Sequence, residues 1–91
     1  MPERMMAMRE VVFLHTDWCG PCRFMLEQSI GPLKEERPEQ VRIENITNYS
    51  PLVKRFRPTR VPTLVFLEDG EEFYRVERAV DREFIERVLD E

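Results

Sequence analysis

Val11-Val12-Phe13-Leu14-His15-Thr16-Asp17-Trp18-Cys19-Gly20-Pro21-Cys22 is the stretch that decides how this chain folds. Its first four residues form an unbroken apolar run of strand length, the pattern of a strand buried on both faces and therefore central in a sheet. From Cys22 onward, Cys22, Met25, Leu26, Ile30 and Leu33 recur at helical spacing, while Glu27, Lys34, Glu35 and Glu36 lie off that stripe. This predicts an amphipathic helix with one face packed on the sheet. Gly31-Pro32 falls inside the pattern, and because proline has no backbone N–H to donate, the helix is expected to kink or restart there. The two cysteines thus lie where a buried strand hands over to a helix.

Outward from this stretch the periods keep alternating. Residues 41–46 alternate in part, as an edge strand with one wet face would. Ser50-Pro51 reads as an N-cap with proline at the first helical position, opening a short helix through Phe56. Residues 64–67 form a second buried apolar run, and Asp69-Gly70 is a hairpin signal leading into a strand at 73–78, paired antiparallel with it. Asp81 caps a last helix whose apolar positions are Phe84, Ile85, Val88 and Leu89. The order is βαβαββα, an α/β chain with no internal repeat or linker, read as a single domain over residues 1–91.

The position of the cysteines matters as much as their spacing. A helix start offers free backbone N–H groups and the positive end of the dipole, which stabilise a thiolate, the nucleophile of thiol chemistry. The dipole contributes about 0.3 to 2 kcal/mol, against about 1.4 kcal/mol for one pKa unit, so hydrogen bonds from the Cys22 thiol and from backbone N–H groups must add to it. Cys19 is the expected nucleophile. Cys22, three residues on and turned toward the buried face, is the expected resolving thiol: it displaces substrate from the Cys19 mixed disulfide and leaves a Cys19–Cys22 disulfide.

Trp18-Cys19-Gly20-Pro21-Cys22 at a strand-to-helix junction resembles the active site of the thioredoxin family, and Val61-Pro62-Thr63 before the second buried strand agrees. The resemblance runs from about Val11 to the C-terminus. It implies a thioredoxin fold, a central mixed four-stranded sheet flanked by helices, without the leading strand of full-length thioredoxins. It also implies a cis bond before Pro62 and a Val61 backbone that hydrogen-bonds an extended substrate segment. Trp18 is a flat apolar surface for docking substrate, or a ring covering the active-site loop. The implied activity is reduction of protein disulfides with no bound cofactor, electrons coming from an external thiol or a thioredoxin-reductase-like donor.

Four positions depart from the family pattern. Phe13 stands where thioredoxins bury an aspartate thought to manage the resolving thiol's proton, and Ile43 stands at its lysine partner. The apolar pair avoids a desolvation cost but removes the candidate base for Cys22, which implies slower resolution. His15 replaces an aromatic; it either takes over proton transfer or, more simply, caps the strand end through a backbone hydrogen bond. Arg78 replaces a glycine, and its bulk and charge are expected to narrow or re-aim the substrate groove.

The chain has 91 residues, 42% hydrophobic, and a net charge of -4, which suits one compact core and leaves no strongly basic face for nucleic acid. The opening ten residues are charged at Glu3, Arg4, Arg9 and Glu10, and the four-residue apolar run after them is too short for a signal peptide or membrane span. A cytoplasmic monomer is expected. Met1, Met5, Met6 and Met8 are read as cover for a sheet edge, and Asp17 as solvated. Lys54, Arg55, Arg57 and Arg60 are either a wet helix face or an attractor of acidic segments. Asn45-Ile46-Thr47 and Asn48-Tyr49-Ser50 match the glycosylation pattern by chance. Two other function classes remain open: a redox-silent binding module using the Val61-Pro62 groove, and a metal or cluster site, which would need a dimer because one chain offers two thiols and His15.

Overall fold

The computed structural model describes residues 8–48 and 51–91. The readings placed on Met1, Met5, Met6, Tyr49 and Ser50 lie outside the described residues. Strand β1, Arg9–His15, is followed by a helical run in three contiguous pieces: α1, Gly20–Met25; a π-helical turn, Leu26–Ile30; and α2, Gly31–Glu36. Then come β2, Val41–Asn45; α3, Pro51–Phe56; β3, Thr63–Glu68; β4, Glu71–Val76; and α4, Arg82–Asp90. With the run 20–36 counted as one helical body, the order is the βαβαββα expected from the sequence.

The four strands form one mixed sheet in the order β2-β1-β3-β4. β1 pairs parallel with β2 and antiparallel with β3, and β3 pairs antiparallel with β4. The two uninterrupted apolar runs are the two inner strands. Their side chains divide between two cores: Val11, Phe13, Leu64 and Phe66 pack with the helical run and α4, whereas Val12, Leu14, Val65 and Leu67 pack with Phe56 of α3. Covering both faces is what makes an inner strand read as continuously apolar.

The disturbance at Gly31-Pro32 takes the form of the π turn. Proline lacks the donor for the carbonyl four residues back and its ring clashes with that carbonyl; the chain meets both one turn early, widening so that the Gly31 N–H bonds to the Leu26 carbonyl. A Cβ on Gly31 would lie 2.4 Å from that oxygen, so the close approach requires glycine.

Two strands differ in extent from the sequence reading. β2 ends at Asn45 rather than 46, and β4 spans Glu71–Val76 rather than 73–78. Asp69 and Gly70 both have positive φ, 53° and 88°, as a two-residue I′ turn demands. Pairing therefore starts at once, with Glu68 opposite Glu71. The register then shifts at Phe73, an extra residue between Glu72, opposite Leu67, and Tyr74, opposite Phe66. Of the methionines read as edge cover, the described one, Met8, is exposed and instead exchanges hydrogen bonds with Asp69 at the hairpin.

Candidate active site

Cys19 is the N-cap of α1. Its backbone is extended (φ -98°, ψ 106°), its Sγ accepts from the Cys22 N–H at 3.0 Å, and its carbonyl accepts from the Arg23 N–H at 3.0 Å. Gly20 and Pro21 form the first helical positions, where the missing proline donor costs nothing. Cys19 and Cys22 are joined by a disulfide, Cα atoms 5.1 Å apart. Cys19 keeps 9% of its surface while Cys22 keeps none, and both belong to the core cluster that includes Phe13 and Met25. Trp18 is 80% exposed.

The loop entering this turn is held by side chains to which the sequence reading gave no such role. Asn45 Nδ2 donates to Asp17 Oδ1 at 2.7 Å, the Asp17 N–H donates to Thr47 Oγ1 at 2.7 Å, and the Thr47 N–H donates to Asn45 Oδ1 at 2.8 Å. Asp17 is exposed, as expected, but fixed in place. The residues dismissed as a chance glycosylation match thus tie the end of β2 to the residue two before Cys19. Their sequence signal was the Asn and Thr at a strand end, types that hydrogen-bond nearby backbone.

His15 ends β1. Its carbonyl accepts from the Ile46 N–H at 2.7 Å, and its ring stacks on Phe13, centroids 5.6 Å apart and 20° between planes. The strand-end bond is thus made by the backbone and leaves the imidazole free of it. With Thr16, Asp17, Cys19, Arg23 and Leu26 the imidazole lines a cavity of about 190 Å³. Phe13 is fully buried and pairs in register with Ile43 in the same core, so an apolar pair fills the family's acid and lysine positions.

The Val61–Pro62 peptide bond is cis, Pro62 is buried, and Val61 packs against the core cluster that holds both cysteines. Thr63 Oγ1 donates to the Arg60 carbonyl and braces this turn. Arg78 lies beyond β4 rather than within it and is exposed, its guanidinium carbon 5.8 Å from the Phe84 ring centroid. Glu77 accepts from Thr59 Oγ1 at 2.8 Å and pairs with Arg75; the Thr59 bond first, then the Arg75 contacts, hold its carboxyl below the usual range. Among the described residues no group of three His, Cys, Asp or Glu side chains is placed to hold a metal ion, and no helix is long and apolar enough to cross a membrane.

A sequence profile of the family described as Thioredoxin matches residues 5–91. The chain belongs to the thioredoxin family. Thioredoxin from Chlamydia pneumoniae is 32% identical over 81 residues, 88% of this chain and 78% of its own length. Thioredoxin 1 of Synechococcus elongatus is 29% identical over 75 residues, covering 80% and 69%. Among solved structures, Fasciola hepatica thioredoxin superposes with a TM-score of 0.75 at 28% identity, covering 89% of this chain and 78% of that one. Mitochondrial thioredoxin 3 from Saccharomyces cerevisiae, in its oxidised form, matches the fold with a TM-score of 0.70 at 24% identity, over 90% and 76% of the two chains. Thioredoxin-family membership and the bonded Cys19–Cys22 pair together support a thiol-disulfide oxidoreductase.

Proposed function

We propose that the chain reduces disulfides in protein substrates by a dithiol cycle in which Cys19 is the nucleophile and Cys22 the resolving thiol. The observation that carries this reading is the asymmetry of the bonded pair: Cys19 caps the helix and retains surface, whereas Cys22 is wholly buried. In the reduced state the Cys19 thiolate attacks one substrate sulfur, the substrate S–S bond breaks, and a mixed disulfide forms while the departing substrate thiolate takes a proton. Cys22 then gives up its proton, attacks Cys19 Sγ and releases the second substrate thiolate. Two electrons have passed to the substrate. An external thiol or a thioredoxin-reductase-like donor returns two electrons and two protons to the pair, and no bound cofactor takes part.

Trp18, the Val61 backbone and Pro62 form the docking surface, with Gly20 and Pro21 shaping the active-site loop. His15, which shares a cavity with Cys19, exchanges protons with the pair in place of the absent buried acid. The reading takes residues 1–91 as one domain acting as a cytoplasmic monomer.

The test is dithiothreitol-driven reduction of an insulin disulfide by wild type, Cys19→Ser and Cys22→Ser, with mixed disulfides trapped on a gel. Turnover lost in both variants, with substrate held covalently through Cys19 in Cys22→Ser, is the expected result. Wild type no faster than Cys19→Ser would overturn the proposal and favour the redox-silent module.

A further inference from the structure

We infer that the site selects disulfides embedded in acidic segments, an inference that rests on the redox reading above. The end of the sheet that carries the dithiol also carries cations the protein leaves uncompensated. Arg75 Nη2 donates to the Phe56 carbonyl at 2.7 Å and Thr59 Oγ1 donates to Glu77 Oε1 at 2.8 Å, so the segment following α3 is stitched along the end of β4. Arg60 and Arg78 each lie one residue beyond a partner in the Thr59–Glu77 bond. Val61, next to Arg60, and Val80, two residues past Arg78, pack against the cluster that contains Cys19 and Cys22. Strand pairing puts the start of β3 and the end of β4 beside the end of β1, so both arginines stand at the sheet end that carries the dithiol.

Arg60 and Arg78 are exposed, as is Arg57 immediately after α3, and none of the three forms an ion pair among the described residues. Of three anions at this end, Glu77 is ion-paired with Arg75, while Asp81, capping the Phe84 N–H, and Asp17, accepting from Asn45, keep their charge, two anions against the three unpaired arginines. Arg78 contacts the Phe84 ring and the Ala79 carbonyl, and neither contact neutralises its charge. The chain as a whole is at -4, which becomes -7 once these three cations are set aside. An anionic segment is repelled by the body and attracted at the rim of the dithiol, which orients its approach as well as favouring it.

The test uses two synthetic peptides with the same intramolecular disulfide, one flanked by Asp and Glu, the other by Lys. kcat/KM is measured for the full chain with dithiothreitol as reductant, each value normalised to the rate with dithiothreitol alone, at low ionic strength and at 1 M salt. Two or three exposed charge contacts correspond to about a three- to tenfold preference for the acidic peptide, lost at 1 M salt, where the screening length shrinks to about 3 Å. The Arg60→Gln/Arg78→Gln double variant is expected to lose the preference and Arg60→Lys/Arg78→Lys to keep it. Arg42→Gln/Arg87→Gln, which removes the same charge from the β2 edge and the far part of α4, should also keep it. Equal rates for the two wild-type substrates, or a preference that survives in the Gln double variant, would sink the inference while leaving the redox reading standing. Reduction of neither peptide would instead remove the reading on which it rests.

Discussion

Gly31→Ala should destabilise this protein, although the same substitution ordinarily stabilises a helix. In an exposed helix interior, alanine is favoured over glycine by about 1 kcal/mol. At Gly31 the new Cβ would sit 2.4 Å from the Leu26 carbonyl oxygen, and real Cβ atoms essentially never approach closer than 3.0 Å, so the backbone must open by at least 0.6 Å. That movement weakens the Gly31-to-Leu26 hydrogen bond, worth about 1 kcal/mol, and adds the overpacking cost of about 1–3 kcal/mol seen when a methyl is forced into filled space. After the propensity gain is subtracted, the net loss is about 1–3 kcal/mol, or about 5–20 °C in Tm for a domain of this size. Gly20→Ala is the internal control: nothing lies within 4 Å of its Cβ position, so its effect should stay within about 0.5 kcal/mol. Thermal and urea unfolding of the oxidised proteins, followed by far-ultraviolet circular dichroism, measures both. A Gly31→Ala protein as stable as wild type or more so would refute the reasoning, because the π turn would then relax to an ordinary helix at no cost.

Other outcomes follow from single contacts. Asp81 accepts from the Phe84 N–H at 2.9 Å, so Asp81→Ala should cost about 1 kcal/mol, read as a lower urea midpoint with an unchanged slope. Asp90 has its pKa lowered, first by the hydrogen bonds from Arg37. A depressed folded-state pKa means the pair contributes stability above the ordinary carboxylate pKa and loses it as pH falls through the depressed value. The stability gap between wild type and Asp90→Asn should therefore be flat from neutral pH to about pH 5 and close below about pH 4; a gap that widens in acid would contradict the assignment. Asn45→Ala should speed hydrogen exchange at the Asp17 amide while lowering global stability by less than about 1 kcal/mol, a combination visible by NMR.

The parts of this fold that were legible in the sequence are those where side-chain chemistry and backbone geometry say the same thing. Residues 11–14 and 64–67 are apolar without interruption because each inner strand is covered on both faces. Asp69-Gly70 can take two positive φ values in succession, and few residue pairs can. What escaped was decided by backbone pairing rather than by side chains. Glu71 and Glu72 are exposed and charged, yet they belong to β4 because the tight turn puts their backbone beside β3 whatever their side chains are. Phe73 and Tyr74 look like the apolar onset of a strand, but the bulge at Phe73 breaks the alternation and leaves both about two-fifths exposed. The Asn45, Thr47 and Asp17 bonds join residues 28 to 30 positions apart, a distance over which periodicity carries no information. Pro32 announced a disturbance, but whether a helix answers with a kink, a restart or a π turn depends on how closely its carbonyls can approach, which is decided by packing and not by local sequence.

The dithiol's surroundings combine both kinds of information. The sequence placed Phe13 and Ile43 where the family pattern has a charge pair, and the parallel register puts them side by side in the core that holds Cys19 and Cys22. Inside that core the pair has an apolar floor. The ionisable side chains near it lie on the solvent side: His15, Asp17 and Arg23 share the cavity with Cys19, and Arg60 and Arg78 are exposed at the same end of the sheet. A buried carboxylate would couple proton release to the protonation of the interior, at a desolvation cost to stability. Here that cost is absent, and in the proposed cycle it is groups in contact with water that move protons and sort substrates by charge. On the proposed reading, proton handling and substrate choice both fall to the exposed face of the site, where single substitutions would alter either one without disturbing the packing that holds the cysteines together.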